Sequence, residues 1–455
     1  MPSSAFRSLR AVWEETFAPA LTRPGFANLV VIVTGWVLTR GAHAVTEALV
    51  ETRVAGRRHH EAFHRFFSRG TWDPDRLGRW VFWRIMVTFG PLDVVRIVLD
   101  DTLAPKKGAH VFGIGSHLDA VRSTKRQKIF SFGHCWVVLA VLVRVPFSTR
   151  TWALPVLLRL YRTDKDCKRQ GVAHRKKTEL AREMLDVFCS WVEDRRIELS
   201  ADSAYCNDTV TRDLPPRVIL FGAMRPDAVL TELPPVAVTN GKGGRPRKRG
   251  RLLRKPQDIA RDGRTPWRFT EAVLYGKKTT VRFKTLCAQW YRATGTRLLR
   301  IVIVATDSGT MPYRVFFAFD SSLDIRTVLE TYAGRWGIEI FFREAKQLLG
   351  FADSQARKEA AVLRVAPLVG LLYSTLVIWF VRDIYRLPVA APPLRPWYPH
   401  KRGLCFADVL RAAQRVVVNV DVLVPYCDLD NLQQSAAPLQ TPSRQRAPRA
   451  LDCAA

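Results

Sequence analysis

The spacing of hydrophobic residues changes near residue 90 of this chain. From residue 1 to about 90, apolar and aromatic side chains recur at helical spacing, for example through Phe26–Leu38 and Trp80–Val87. From Val94 onwards, short runs of β-branched and apolar residues predict strands instead. We therefore expect a helical N-terminal region at 1–90, followed by a core that contains a sheet.

Residues 91–205 predict three strands, a helix and a fourth strand. The first three strands are VVRIVLDDT, GAHVFGIGS and FGHCWVVLAVLVRV, and the short turns between them favour antiparallel neighbours. The segment HRKKTELAREMLDVFCSWVEDRR predicts an amphipathic helix, and its apolar side carries Leu180, Met184, Val187, Phe188 and Trp191. RIELSADSAY then predicts a buried strand. Acids stand on the first strand, as Asp100 and Asp101, and at the end of the fourth, as Asp202.

A β-rich subdomain is expected at 206–325, because the chain from Asp202 to the next acidic helix is too long for a simple loop. Five segments in it predict strands: RVILFGAM, WRFTEAVLYG, KTTVRFKTLCAQWY, RLLRIVIVATDS and YRVFFAFDSS. Trp267 and Trp290 are candidates for stacking on an extruded base, although most Trp residues are buried in cores. His134, on the third strand, is expected to be a core histidine or to support the site from behind.

One further helix is predicted from Tyr332 to Lys346, within the final core segment 326–390. At about 100° per residue, one narrow polar face carries Tyr332, Arg335, Glu339, Arg343 and Lys346. Beside it lie the apolar residues Ile338, Phe342 and Leu349, which can anchor the helix in a core. An acid flanked by bases and a phenol suits phosphate chemistry, because the acid can hold a metal and the bases a DNA backbone. The alternative is a surface helix with salt bridges.

Charge favours a polyanionic partner. The chain has 71 Lys and Arg against 41 Asp and Glu, a net charge of +30, and nucleic acid is the leading partner for such a balance. Residues 242–255, KGGRPRKRGRLLRK, hold eight bases and no acid. We expect a mobile loop that meets phosphates, with the DNA-binding candidates Arg245, Arg247, Lys248 and Arg249. A loop that only aids solubility is the alternative.

The spacing Tyr332-x2-Arg335-x3-Glu339-x6-Lys346 resembles the Y-R-E-K signature of DDE transposases from bacterial insertion sequences. The resemblance implies that Glu339 is the last acid of a DDE triad on a ribonuclease-H-like fold. It also implies that Tyr332, Arg335 and Lys346 contact transposon-end DNA. We add Arg343 to these DNA-binding candidates because it shares their helical face.

The same family resemblance extends to the first two acids. LDDTLAPKKG resembles the first-acid motif and ADSAY the second, although Ser203 departs from the D-G-x-Y pattern common there. The D-x-(S/T) spacing with Thr102 favours Asp100 over the alternative first acid, Asp101. If the strand persists, these two carboxylates point to opposite faces. Acids often end strands, so each is informative only together with Glu339.

A triad of Asp100, Asp202 and Glu339 implies metal catalysis. Three carboxylates and a substrate phosphate suffice to bind two Mg²⁺ ions, for which Mn²⁺ could substitute. An activated water molecule would attack and cut the phosphodiester, and the freed 3′-OH would then attack target DNA in the same site. No protein nucleophile is required.

Two segments point to other functions. His60-Glu61-Ala62-Phe63-His64 spells the HExxH pattern of zinc peptidases. No Glu occurs between Glu61 and Glu179 to supply a third ligand, and the flanking sequence is basic. Val365–Val381 is seventeen residues without a charge, at the short edge for a membrane span. Since it contains Pro367, we expect a buried core helix and no membrane partner.

Eight cysteines stand without CxxC spacing, which favours a reduced, cytosolic protein. The segment MPSSAFRSLRAVWEE lacks the long apolar stretch of a signal peptide. At 391–455 we expect one C-terminal helix near 404–417 and a polar, disordered tail from Gln433.

The complete interpretation is an α/β protein with a ribonuclease-H-like mixed-sheet catalytic core, an inserted β-rich subdomain and a helical N-terminal region. The N-terminal region could bind transposon ends or only cap the core. The expected function is an insertion-sequence transposase that acts as a homodimer in a synaptic complex with transposon ends and target DNA. It would be cytoplasmic and nucleoid-associated in a bacterium. A domesticated or inactive DNA-binding protein is the alternative, and a zinc metallopeptidase is a weaker one.

Overall fold

The structure is a computed structural model of the 455-residue chain. The residues that it describes are 2–90, 93–108, 110–119, 121–124, 126–235, 247–306, 312–393, 395–397, 403–418 and 420–423. The chain forms two compact units, one from Met1–Trp80 with Glu344–Ala455 and one from Val81–Arg343.

The strands of the described residues are β1 (Val94–Pro105), β2 (Gly115–Leu118), β3 (Phe130–Arg144), β4 (Thr151–Tyr161), β5 (Arg196–Ala201), β6 (Val218–Met224), β7 (Arg268–Leu274), β8 (Lys277–Gln289), β9 (Leu298–Ala305) and β10 (Tyr313–Ala318). The α-helices are α1 (Pro2–Phe17), α2 (Arg23–Leu38), α3 (Val45–Glu51), α4 (Glu61–Ser68), α5 (Pro74–Thr88), α6 (Asp164–Arg169), α7 (Lys177–Trp191), α8 (Asp208–Thr211), α9 (Pro256–Arg261), α10 (Tyr291–Thr294), α11 (Ile325–Gly334), α12 (Trp336–Leu348), α13 (Glu359–Trp379) and α14 (Phe406–Val417). Shorter turns are the 3₁₀ helices Ala18–Ala20, Ser203–Tyr205 and Pro388–Ala390 and the π-helix Phe380–Ile384.

The unit Val81–Arg343 is built on one mixed sheet. Its core has the strand order β4-β3-β1-β5-β6. Strand β1 is antiparallel to β3 and parallel to β5, and β5 is parallel to β6. This order and these directions define a ribonuclease-H-like core, as the sequence predicts. Strand β6 then pairs with β10, and the antiparallel strands β10-β9-β8-β7 continue the same sheet.

The early strand assignments need correction. The predicted strand GAHVFGIGS lies mostly outside regular structure, and only the short β2 forms, beginning at Gly115. The sequence reading missed β4, an edge strand that contains Pro155. Proline normally argues against a strand, because it has no N–H to donate. Pro155 pairs with Ala140, and the β3–β4 register shifts between Leu139 and Ala140. This irregularity allows the ladder to accommodate the proline.

Helix α7 confirms the predicted amphipathic helix. Leu180, Met184, Phe188 and Trp191 are buried, while Val187 is only half-buried. The helix begins with Glu179 accepting a 2.7 Å hydrogen bond from the backbone N–H of Lys176, which satisfies one donor at the N-terminus.

The predicted helix from Tyr332 to Lys346 is interrupted. Helix α11 ends at Gly334, Arg335 keeps right-handed helical angles (φ −52°, ψ −33°), and α12 begins at Trp336. Glycine weakens helices, and Gly337 adds a close approach, since a Cβ there would lie 2.9 Å from the Thr151 carbonyl oxygen. The three predicted anchors are buried, as expected: Ile338, Phe342 and Leu349.

The other unit is helical, and α1–α4 confirm the predicted helical character of the N-terminal region. Helix α13, continued to Ile384, is long and apolar enough to cross a membrane, but 89% of its most apolar window is buried by the protein. This agrees with the predicted core helix. The predicted helix at 404–417 is α14, and the tail from Gln433 lies outside the described residues.

Candidate active site

Three predicted acids lie on neighbouring elements of the sheet unit. Asp100 is on β1, Asp202 directly follows β5, and Glu339 is in the first turn of α12. Strands β1 and β5 are parallel with Leu99 opposite Ala201, so Asp100 and Asp202 occupy equivalent positions at the same end of adjacent strands. The fold thus places two acids that are distant in sequence side by side.

Arg335 joins these acids electrostatically. Its Nη1 donates to Asp100 Oδ2 at 2.6 Å and to Glu339 Oε1 at 3.4 Å. The Arg335 side chain is 14% exposed. Burial lowers its pKa, but the nearby charges of Asp100, Asp202 and Glu339, together with the Tyr332 phenol, raise it overall. Arg335 therefore carries a firm positive charge inside the acidic cluster, whereas its sequence pattern indicated a DNA contact.

Asp100 is the electrostatically strained member of the cluster. Burial raises its pKa to about 7, which the Arg335 charge opposes and the Glu339 and Asp101 charges reinforce. Its Oδ1 accepts a 2.8 Å hydrogen bond from the Asp101 backbone N–H. One guanidinium does not fully offset the burial of this carboxylate and its like-charged neighbours. An additional cation would therefore stabilise the ionised form.

Asp101 has a different set of partners. Its Oδ1 accepts from Lys177 Nζ at 2.7 Å and from Cys135 Sγ at 3.4 Å, and its Oδ2 accepts from the Tyr205 hydroxyl at 2.7 Å. Strand β1 continues to Pro105, so the side chains of Asp100 and Asp101 point to opposite faces of the sheet. Both oxygens of Asp101 are engaged by protein groups.

Sequence reasoning missed Lys177, Cys135 and Tyr205. Burial lowers the pKa of Lys177, but Cys135 and Asp101 raise it to about 12. Burial also raises the pKa of Tyr205, reinforced by the Asp101 charge. Tyr205 follows Asp202 by one 3₁₀ turn within the ADSAY motif, which is a signal that could have found it. Lys177 and Cys135 reach Asp101 only through the tertiary fold.

The donor set fits a hard divalent cation, but the arrangement does not hold one directly. Carboxylate oxygens are the ligands Mg²⁺ prefers, and the strained charge of Asp100 fits a cation. Among the described residues, however, no three His, Cys, Asp or Glu side chains converge closely enough to hold a metal. The Arg335 guanidinium lies between Asp100 and Glu339.

Of the other DNA-binding candidates, Tyr332 lies beside this cluster, with Arg335 Cζ 5.8 Å from the centroid of its ring. Tyr332 packs against Phe316, with 4.7 Å between ring centroids, and burial raises its pKa to about 12. Arg343 is exposed on α12. Lys346 lies further along α12, in the part that belongs to the helical unit. The loop bases Arg247, Lys248 and Arg249 are exposed, while Arg245 lies outside the described residues.

The aromatic candidates and the histidine are at least half-buried. The ring of Trp267 lies 4.8 Å from Lys284 Nζ, and Trp290 packs edge-on against Phe317. His134 is buried with Nε2 2.9 Å from the Phe112 carbonyl oxygen, and burial lowers its pKa to about 4. His134 is thus a core histidine, as predicted.

Among the described residues, the HExxH segment has no third ligand. Glu61 begins α4 and forms a 3.1 Å ion pair with Arg65, and the rings of His60 and His64 contact each other edge-on. Within the described part of the chain, no group of three metal-binding side chains comes together at this segment. The zinc-peptidase alternative therefore gains no support.

Comparison with known proteins identifies a family. The family described as "DDE superfamily endonuclease" matches residues 16–289. This range includes Asp100, Asp101 and Asp202 but ends before Glu339. No curated protein matches the chain. Among solved structures, the chain is similar to "Cryo-EM structure of piggyBac transposase synaptic complex with hairpin DNA (SNHP)", at 9% identity and a TM-score of 0.42, covering 98% of this chain and 87% of that one.

Proposed function

The chain belongs to the DDE superfamily of endonucleases, and we propose that it is a transposase of a bacterial insertion sequence. It would bind the ends of its element, cut phosphodiesters and join the 3′-OH ends to target DNA. The observation that carries this proposal is that Asp100 and Glu339 share the Arg335 guanidinium, with Asp202 at the end of the adjacent parallel strand. The Y-R-E-K spacing of α11 and α12 supports the insertion-sequence branch.

We assign the metal-binding role to Asp100, Asp202 and Glu339. When bound to them, two Mg²⁺ ions, or Mn²⁺, would activate water and stabilise the leaving 3′ oxygen. Asp100 lies at the centre of the assignment, since its side chain is more buried than that of Glu339 and contacts Arg335 more closely. Asp101 is a positioning residue in this scheme, held by Lys177 and Tyr205.

Arg335 would exchange partners when DNA binds. In the free protein its guanidinium neutralises Asp100 and Glu339. A scissile phosphate offers the same planar group two acceptor oxygens. The turn of Arg335 towards that phosphate would release both carboxylates for the metal. The guanidinium that partly offsets the charge of the acids in the free protein would then bind substrate.

Further DNA contacts would come from the basic surface. We propose that Tyr332, Arg343 and Lys346 also contact bound DNA, and that the loop bases Arg245, Arg247, Lys248 and Arg249 meet its phosphates. We retain the helical region 1–90 as a proposed end-recognition element. A homodimer on paired ends, in the cytoplasm and on the nucleoid, completes the proposal.

The test is a cleavage assay on DNA that carries both flanks of the encoding element, with Mg²⁺. Glu339→Gln should bind this DNA like wild type and cut nothing. Glu193→Gln is the matched control, because Glu193 is an exposed acid in the turn before β5. If Glu339→Gln cuts at the wild-type rate, α12 is not part of the active site.

One observation favours a second candidate, an inactive DNA-binding protein. Arg335 occupies the space between two of the acids, so the described residues hold no ready metal site. Tight DNA binding by the wild type without cutting under Mg²⁺ or Mn²⁺ would favour this candidate. Metal-dependent cutting would exclude it.

A further inference from the structure

The hairpin of β2 and β3 presents an exposed aromatic face. Phe130 and Phe132 are each 64% exposed, and Leu118, the cross-strand partner of Phe130, is 48% exposed. A cluster of large apolar residues on a surface often marks a binding site, whereas apolar residues scattered singly over a surface do not. We call Leu118, Phe130 and Phe132 the hairpin face.

The hairpin face continues the face of the sheet that carries Asp100. Asp100 is opposite Val138 in the β1–β3 ladder. Phe132 and Phe130 are six and eight positions from Val138, so alternation puts all of them on one face. At about 3.3 Å per residue, the two rings lie roughly 20 and 26 Å along the strand from the acid. His134 and Trp136, which lie on this face between Phe132 and the acid, are buried, so a DNA strand that leads to Asp100 would pass around them to reach the two rings.

The opposite side of the hairpin is fixed by polar contacts. His117 and Asp119 are buried there, and Asp119 Oδ2 accepts a 2.9 Å hydrogen bond from the Ser131 hydroxyl. At the tip, Asp119 Oδ1 accepts from the Arg122 backbone N–H, and Ser123 Oγ both donates to the Ile129 carbonyl and accepts from its N–H. Since these bonds hold the hairpin in shape, its aromatic face is preformed.

The tip of the hairpin is positively charged. Arg122, Arg126 and Lys128 are exposed. The single acid of this segment, Asp119, is buried and hydrogen-bonded on the other side. Apolar rings beside cations match the bases and phosphates of nucleic acid. A second copy of the chain is disfavoured, because pairing two such tips would bring like charges together.

We propose that the hairpin face binds unpaired nucleotides of the DNA strand that enters the Asp100 site. The bases stack on Phe130 and Phe132, and Arg126 and Lys128 contact the adjacent phosphates. Stacking requires an exposed base plane, so the site selects single-stranded or frayed DNA over closed duplex. The inference rests on the proposed function, whose substrate it specifies.

The test uses the full chain and two fluorescein-labelled probes, a 20-nucleotide oligo(dT) strand and a 20-base-pair duplex, read by anisotropy. We expect Phe130→Ala/Phe132→Ala to weaken binding of the single strand by roughly 10- to 100-fold, and of the duplex by much less. Its salt dependence should stay as in wild type, since no phosphate contact is lost. Phe269→Ala is the matched control, because Phe269 is also 64% exposed, on β7, and it should bind like wild type.

A second variant separates phosphate contacts from stacking. Arg126→Gln/Lys128→Gln should reduce the slope of log affinity against log salt by about 1.4 for the single strand, or 0.7 for each lost phosphate contact. Thermal melting of both double variants checks folding, which exposed positions should not disturb.

Wild-type affinity of Phe130→Ala/Phe132→Ala for the single strand would overturn the inference. A loss of self-association in sedimentation with unchanged DNA affinity would assign the face to a second copy instead, and would overturn it equally. The cleavage assay with Glu339→Gln reports on the proposed function independently. If the wild type cuts DNA and Phe130→Ala/Phe132→Ala binds the single strand normally, the inference about the hairpin face is refuted and the proposed function stands.

Discussion

The two faces of β1 at Asp100 and Asp101 differ in how they treat a buried carboxylate. Asp101 receives hydrogen bonds from Lys177, Tyr205 and Cys135, so its charge is met by protein groups. Asp100 has one guanidinium and the nearby charge of Glu339, and its pKa is raised to about 7. Strained ionisable groups concentrate at functional sites. Adjacent residues on one strand thus separate a supporting face from a reactive face.

The largest expected effect is a dependence of stability on pH that comes from Asp100. Folding raises the pKa of Asp100, so between about pH 4 and 7 the folded chain holds a proton that the unfolded chain has released. The contribution of Asp100 to wild-type stability should therefore fall as pH rises through this window, by up to about 1.4 kcal/mol per pH unit.

Asp100→Asn removes this titration. The stability of the variant relative to wild type should thus increase between pH 4.5 and 7.5, by a few kcal/mol on the scale of that slope. Urea unfolding in EDTA at the two pH values measures it. A constant difference would show that Asp100 is not strained.

The next effect concerns Arg335→Gln. Without the guanidinium, Asp100 and Glu339 lose a charge-assisted partner worth roughly 1.5–3 kcal/mol and become available to a cation. Mn²⁺ should then bind the DNA-free protein about tenfold more tightly or better, as calorimetry would measure.

Arg343→Gln is the control for Arg335→Gln, since Arg343 is exposed on the same helix, α12. It should leave the Mn²⁺ affinity unchanged. Weaker Mn²⁺ binding by Arg335→Gln would mean that the arginine helps to build the metal site instead of competing for it.

A substitution on the Asp101 side of β1 should lower the stability of the fold. Lys177→Met leaves Asp101 with a missing partner, so the free energy of unfolding should decrease by about 1–3 kcal/mol. Lys176→Met is its control, because Lys176 is the exposed neighbour in sequence. Denaturant unfolding compares the two, and equal stability would show that Lys177 contributes nothing to the fold.

The smallest effect is expected on DNA binding, from a substitution that lies on neither face of β1. Lys346→Ala should weaken DNA binding and reduce its salt slope by about one unit, because one phosphate contact is lost. Lys165→Ala, at an exposed position on α6, should leave the slope as in wild type. A slope that Lys346→Ala does not change would remove Lys346 from the DNA contacts.

Much of the fold follows from local patterns in the sequence. The order of strands, the amphipathic face of α7 and the burial of α13 all depend on hydrophobic periodicity, which the sequence displays directly. Strand β4 was missed because Pro155 argues against a strand, and only the shifted register on an edge accommodates it. The break at Arg335 was missed because the helical pattern continues across it.

The site was only partly predictable. The sequence pointed to Asp100, Asp202 and Glu339 by element ends and motif spacing, and the fold brings these elements together. It could not predict that Arg335 would face the acids, since a helical angle does not specify what the opposing surface carries. Lys177 and Cys135 reach Asp101 from other elements, so no local pattern marks them.

The most direct test of the central claim compares Asp100→Asn with Asp101→Asn in Mg²⁺-dependent cleavage of DNA that carries the element's flanks. We predict no cutting by Asp100→Asn. Asp101→Asn should retain cutting reduced by about 10- to 100-fold, as for a residue that supports metal ligands. Normal cutting by Asp100→Asn together with none by Asp101→Asn would reverse the two faces and contradict the account.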